Sequence, residues 1–510
     1  MSKQIIGARW PLALWLVTGA MLSIILFAGY YAATPWADDW IFIGRSATLA
    51  DAISSIVKRL TTWSPRPGSE PTIFGFLYLA RRLGLPPQRL ITPLLVVTYL
   101  QSLSLLLWPA LLRRFRNVGY GALSLSLACL LMAAALMNQY QTNEVLFWGA
   151  GAAAYLPTLA AWISGLCSLY LWVITRERAF FLVAVLQSFF GGLFWEVGIS
   201  GSVLIPSTVL LLVYLFDPKS RQPSGQRAVA SLLGPVLLSA VVLSVVILPA
   251  SLKRHQLEAG SNLSLLEALR WALPWPLRHA GHLISNHCLF TVPFVALLSV
   301  LLVSQVRLVA PLPAGSPVQR QALLYCGVAA LLESVAIRFC LATSFGAQVV
   351  YQQRHEVAPS LLLLLGLSLL LAAAMPPGLV DWIRLKSAWV SVAAITVIFT
   401  AVLSSQSVHA IVADAVQTAT GRRPSPIVIA ANSSEGIYSL GCKTHAFADD
   451  LPPGAWTQSG LSSRIEAKNS FKEGYKLKIL RGIMSGYGID RLITAPGGHC
   501  HSPDVQALNS

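Results

Sequence analysis

Charge is what this chain has little of. Only 11% of its 510 residues are Asp, Glu, Lys or Arg, and just 21 of them are acidic. A soluble globular chain carries about 25% charged residues, so a water-solvated body is excluded. Cysteine is sparse as well. Of seven, Cys129, Cys167, Cys288, Cys326 and Cys340 fall in or at the edge of apolar runs, where a small buried side chain is the ordinary role. What the chain has instead is apolar surface: 55% of residues are hydrophobic and the mean hydropathy is +0.63. It reads as an all-α polytopic membrane protein. The net charge of +16 would suggest nucleic acid in a soluble protein. Here the Lys and Arg are topology determinants and contacts to phosphate or lipid headgroups, and no nucleic-acid partner is expected.

About 20 apolar residues cross a bilayer. That rule predicts eleven spans, near residues 11–33, 90–112, 119–138, 152–174, 179–195, 197–216, 229–250, 287–306, 321–341, 356–375 and 387–405. Two of them, joined at Phe194–Trp195–Glu196, form a tight hairpin. The first, preceded by Lys3 and Arg9, reads as a retained span rather than a cleaved signal. Basic residues gather in alternate short segments (Arg113, Arg114, Arg116; Arg176, Arg178; Lys219, Arg221, Arg227; Arg384, Lys386). This places the N-terminus in the cytoplasm and an eleven-span C-terminus outside.

Two segments interrupt the pattern. The first outer loop, 34–89, contains Ser46–Leu60, with apolar residues at helical spacing, and Pro71–Leu83, too short to span. Both fit helices lying in the membrane interface. After residue 405 the apolar runs stop, and 406–510 reads as a small extracytoplasmic α/β domain with one strand at Pro426–Ala431. Its two cysteines, Cys442 and Cys500, are expected to pair in an oxidising compartment. His499–Cys500–His501 has no second ligand cluster and makes no zinc site.

The chemistry-bearing residues crowd the outer segments. Trp36–Ala37–Asp38–Asp39–Trp40 opens the first loop, which also carries Arg66, Glu70, Arg81 and Arg82. Further along come Glu144, Trp195–Glu196, Arg278, His279, His282 and Arg354–His355–Glu356. Aspartate at membrane depth is rare and ordinarily lines a wet, functional cavity. Acids beside a set of cations suit transfer from an anionic lipid-linked donor. Asp38 or Asp39 would take a proton from an acceptor hydroxyl. Arg354, Arg278, Arg81, Arg82 and His282 would hold the donor phosphate. Trp40, Glu144, Trp195, Glu196 and His355 would contact sugar or acceptor.

An acidic motif on the loop after the first span, followed by two interfacial helices and many further spans, resembles the GT-C superfamily of integral-membrane glycosyltransferases. Asp38–Asp39–Trp40 stands where that family has its loop-one acidic motif, and the architectural likeness covers residues 1–405. The resemblance implies a polyprenyl-phosphate sugar donor, with the base role carried by Asp38 or Asp39 and the late-loop phosphate contact by Arg354. It also implies a bacterial inner-membrane hexosyl- or pentosyltransferase acting on a periplasmic acceptor: O-antigen, another envelope glycan, a protein or lipid A. Some branches use a divalent metal, but this sequence lacks their strong second acidic pair, and no metal ligand is assigned. Two other classes compete. A flippase of lipid-linked sugars would show internal repeats and ionisable groups near the midplane, and no convincing repeat is present. A non-catalytic assembly subunit would use the tail to dock a partner.

Overall fold

The computed structural model describes residues 42–62, 64–84, 149–258, 263–304, 316–350 and 353–376, with short pieces beyond that include 437–439 and 491–493. Four expected spans, near 11–33, 90–112, 119–138 and (almost entirely) 387–405, lie outside these residues. So do the strand at Pro426–Ala431 and the Cys442–Cys500 pair.

Ten α-helices carry the described fold: α1 Leu49–Thr62, α2 Ser69–Arg82, α3 Gly149–Thr175, α4 Arg178–Phe194, α5 Gly198–Phe216, α6 Pro223–Glu258, α7 Leu265–Ala272, α8 Trp275–Ser304, α9 Pro317–Val350 and α10 Val357–Ala374. Five contain stretches long and apolar enough to cross a membrane: Ala150–Thr175, Gly198–Phe216, Pro223–Lys253, Pro317–Thr343 and His355–Ala374. They match five of the expected spans. The other two expected spans in this region fall on α4, which is 17 residues long, and on α8, whose strongly apolar part is Thr291–Val300. In the tail, Ile437–Ser439 and Arg491–Ile493 pair as two parallel strands with Tyr438 opposite Leu492.

A helix that is apolar all round belongs inside a bundle or in lipid, and neighbours decide which. α10 is almost wholly enclosed, with Leu361 to Leu365 buried in succession. α6 lies at the perimeter and leaves Leu237, Leu238, Val241 and Val245 exposed. Burial of carbon surface does not tell one apolar helix from another, so polar ties set the register. Thr158 donates to the Gly191 carbonyl, Ser168 to the Gln187 side chain, and Ser299 to the Ser368 carbonyl. Ties of this kind are the usual glue between helices where water is absent.

The α4–α5 hairpin is closed by backbone contact. A Cβ on Gly198 would stand 2.7 Å from Gly192 Cα and 2.9 Å from the Gly191 carbonyl oxygen. Neither atom can rotate away. The hairpin end in turn receives the first loop: Gly68 N–H donates to the Leu193 carbonyl at 2.8 Å. Residues 42–84 fold onto that end as a two-helix cap. Thr48 and Asp51 exchange side-chain and backbone hydrogen bonds at the start of α1, which satisfies two of the free N–H groups every helix start leaves. Phe42 meets Phe74 edge-on with ring centroids 5.2 Å apart.

Gly198→Ala is expected to lower stability by about 1–3 kcal/mol, the size of an overpacked site. Gly234→Ala, with nothing within 4 Å of the new methyl, should leave stability unchanged or slightly raised. Thermal unfolding of the two variants in detergent checks the contrast.

Candidate functional site

A set of charged and aromatic side chains meets at the end of the bundle where α4 turns into α5 and α10 begins. The turn 195–197 cannot be apolar backbone alone, because two helix ends meet there with unsatisfied groups. It carries Trp195 and Glu196. Arg66, from the first loop and 130 residues away in sequence, grips the Glu196 carboxylate with two nitrogens: Nη2 donates to Oε1 at 2.9 Å, and Nε donates to Oε2. Burial alone would lower the Arg66 guanidinium, but Glu196 more than reverses this and holds it above the ordinary arginine range. The cap has a second such pair, Arg59 Nε to Glu70 at 2.8 Å, with Glu70 buried and Arg59 lying over the Phe42 ring.

Aromatic rings continue the site inward from Glu196. Trp195 is 1% exposed; its ring runs parallel to His355 at 6.4 Å and meets Tyr155 edge-on at 5.1 Å. Trp162 lies 6.2 Å from the same indole. Tyr155 also meets His355 edge-on at 5.9 Å. The short turn Gln353–Glu356 then brings Glu356 to Arg338 of α9 at 3.5 Å. Arg338 is 4% exposed and stacks over Trp275 at 5.1 Å. Its Nη1 is buried with no hydrogen-bond partner among the described residues. Trp275 stacks on His279 at 4.6 Å, and His279 Nε2 meets the Ser360 hydroxyl. Burial, then the nearby His282 and Arg338, push His279 down to about 4.

The expected site residues divide according to where the structure places them. Glu196, Trp195 and His355 come together, and Arg66 with them. Trp195, however, is an interior wall whose face is taken by His355, not an open platform for a sugar. Of the expected phosphate ligands, Arg81 donates to the Ile43 carbonyl. Arg82 turns back to Tyr78 on its own helix, and Arg278 and His282 are exposed. The reason is helical phase: around α8, His279 rather than Arg278 or His282 faces α10. Asp38, Asp39, Trp40, Glu144 and the Arg354 side chain lie outside the described residues. No group of three or more His, Cys, Asp or Glu placed to hold a metal occurs among the described residues.

Two charged residues of the site were missed. Glu333 and Arg338 lie inside the apolar run expected near 321–341, on a helix of 34 residues. An ionisable side chain within a span ordinarily faces the bundle interior and marks function, and that rule picks out both. In comparison with known proteins, this chain matches no family model, no curated protein and no solved structure.

Removing one partner of a part-buried, bidentate pair leaves an uncompensated charge. Glu196→Ala or Arg66→Ala alone should therefore cost up to about 3 kcal/mol, the low end for a buried pair, while the double Arg66→Met/Glu196→Leu recovers most of the loss. A double-mutant cycle on unfolding midpoints reads the coupling. His279 gives a second check. Its folded value of about 4 lies below the ordinary imidazole value of 6.5, so between these the unfolded chain binds a proton that the folded chain refuses. Stability then falls as pH drops from about 6.5 toward about 4, and His279→Gln flattens that limb in pH-dependent thermal melts.

Proposed function

We propose that this protein is an inner-membrane glycosyltransferase that moves a sugar from a polyprenyl-phosphate carrier to a periplasmic acceptor. The observation that carries the reading is Arg338. It is a buried guanidinium with one amino group uncommitted, stacked on an indole, at the end of the apolar bundle that the first loop covers. Such a group suits a phosphate oxygen, and the apolar flank of the bundle suits the isoprenoid chain. In the eleven-span topology that end is the outer one, α1 and α2 lie in the interface plane, and the tail forms a periplasmic α/β domain. The likeness to GT-C enzymes, in the acidic motif at Asp38–Asp39–Trp40 and the two cap helices, supports the same conclusion.

The chemistry needs three acts. Asp38 or Asp39 accepts the proton of the acceptor hydroxyl as its oxygen attacks the anomeric carbon. The bond from that carbon to the carrier phosphate breaks, with inversion. Negative charge grows on the departing polyprenyl phosphate, and Arg338, with Arg354 from the adjoining turn, stabilises it. Glu196 and Glu356 keep their arginines in place and leave the base role to the loop-one acids. The acceptor is an envelope glycan, a protein or lipid A. A second reading, transport of the lipid-linked sugar, is favoured by one observation: Glu333 is an ionisable group buried within a span.

Purified protein given labelled polyprenyl-phosphate sugar and envelope acceptors should form glycosylated product. Arg338→Gln should reduce turnover by roughly 100–1,000-fold, the effect of losing one preorganised donor at a developing charge. Asp38→Asn or Asp39→Asn should abolish it. Full turnover in both single variants and in the double removes the base assignment. Carrier flipping in proteoliposomes without any transfer establishes the transport reading instead.

A further inference from the structure

Glu333 stands apart from the other acids of the site. Glu196 is held by Arg66, Glu356 by Arg338 and Glu70 by Arg59. Glu333 is 0% exposed, and no cation among the described residues lies within ion-pair distance of it. Its Oε2 is buried without a hydrogen-bond partner among those residues, and its Oε1 lies 2.6 Å from Ser200 Oγ. The Ser200 oxygen also lies 2.8 Å from the Val197 carbonyl oxygen.

These two distances constrain the proton count. A serine hydroxyl has one proton to give, and the Val197 carbonyl can only accept. If Glu333 were a carboxylate, Ser200 would face two acceptors with one proton, and one contact at hydrogen-bond distance would be oxygen against oxygen. A proton on Glu333 completes the chain: Glu333 Oε1–H donates to Ser200 Oγ, and Ser200 O–H donates to the Val197 carbonyl. The surroundings agree. An ionised carboxylate with a single hydroxyl neighbour in an apolar interior is costly.

We infer that Glu333 is a proton-binding site, occupied in the folded protein, and that the bound proton ties the first turn of α5 to α9. Of the charged and titratable groups on the elements around it, the Cys340 thiol two turns along α9 interacts electrostatically with Glu333 but offers no positive charge, and the rest are committed or remote. Arg338 on the same helix, one and a half turns on, is engaged by Glu356. His355 and Glu356 precede α10, and His279 and His282 on α8 lie beyond Arg338. Tyr155, Cys167 and Tyr170 belong to α3, Tyr214 ends α5, Lys253 ends the apolar run of α6, and Glu267 and Arg270 of α7 are exposed. Losing the proton would place an unmatched negative charge, from the one acid of α9, on the helix that carries Arg338, and would draw that guanidinium away from Glu356. The site is thus a control point for the arginine assigned to the phosphate, yet its existence does not depend on that assignment.

Infrared difference spectra of the full-length protein in lipid nanodiscs at neutral pH test it directly. A protonated carboxyl C=O band that shifts in D2O should be present and should vanish in Glu333→Gln. Ser200→Ala should move that band to higher frequency, because its hydrogen-bond acceptor is gone. Glu333→Gln, which keeps the shape and an N–H donor toward Ser200, should melt within a few degrees of the wild type. Loss of only carboxylate bands in Glu333→Gln, or collapse of its fold, overturns the proposal. Both readouts are independent of sugar transfer.

Discussion

A guanidinium or carboxylate taken into an apolar bundle has to arrive with its partner, and this requirement orders the end of the fold where the rings and charges meet. The Arg66–Glu196 pair is the clearest case. Neither helix end at Trp195 can keep a part-buried carboxylate by itself, and the apolar contact that residues 42–84 make with the bundle through Phe42, Ile43, Ile73, Phe74 and Leu77 does not by itself select one docking. The two-nitrogen grip does both, and the Gly68–Leu193 backbone bond and the Arg59–Glu70 pair within the cap fix the rest. Buried pairs of this kind contribute little net stability against an apolar substitute, but breaking one by removing a single partner is costly, so a docking that separates them is disfavoured. Here the discrimination joins a loop to helices more than a hundred residues further along.

The apolar framework was legible from the sequence because length and apolarity suffice to recognise a spanning helix. The runs at 152–174, 197–216, 229–250, 321–341 and 356–375 needed no more than that, and each is matched by an apolar helical stretch, the third extended to Pro223–Lys253. The two helices of the first loop were legible for a different reason: Leu49, Ile53 and Ile56 keep helical spacing, and Arg81–Arg82 mark an end. Side-chain phase was not legible. Arg278, His279 and His282 sit within one turn and a half, and periodicity cannot say which of them a neighbouring helix will meet. α10 chooses His279, through Ser360. Arg338 and Glu333 stayed hidden because an apolar run was read as a whole, although two charges within it were the strongest local signal.

Aromatic rings do the work that water does in a soluble site. Tyr155, Trp195 and His355 pack mutually, and Trp275 lies between Arg338 and His279. Ring faces carry partial negative charge and tolerate a guanidinium, so Arg338 is stabilised from one side without a second carboxylate. This explains how one of its nitrogens stays uncommitted. A second acid there would neutralise the cation and leave nothing for an incoming anion. An aliphatic wall would strand it.

α9 therefore carries more of the site than any loop does. It is 34 residues long, it packs against α10 and α5, and it sets Glu333 and Arg338 on one element five residues apart. Glu333 reaches the first turn of α5, directly after the Trp195–Glu196 turn, while Arg338 reaches Glu356 at the start of α10. Any small rotation of α9 moves both contacts together, because a helix transmits rotation rigidly over one and a half turns. The protonation of one residue and the position of the other are in this way mechanically linked.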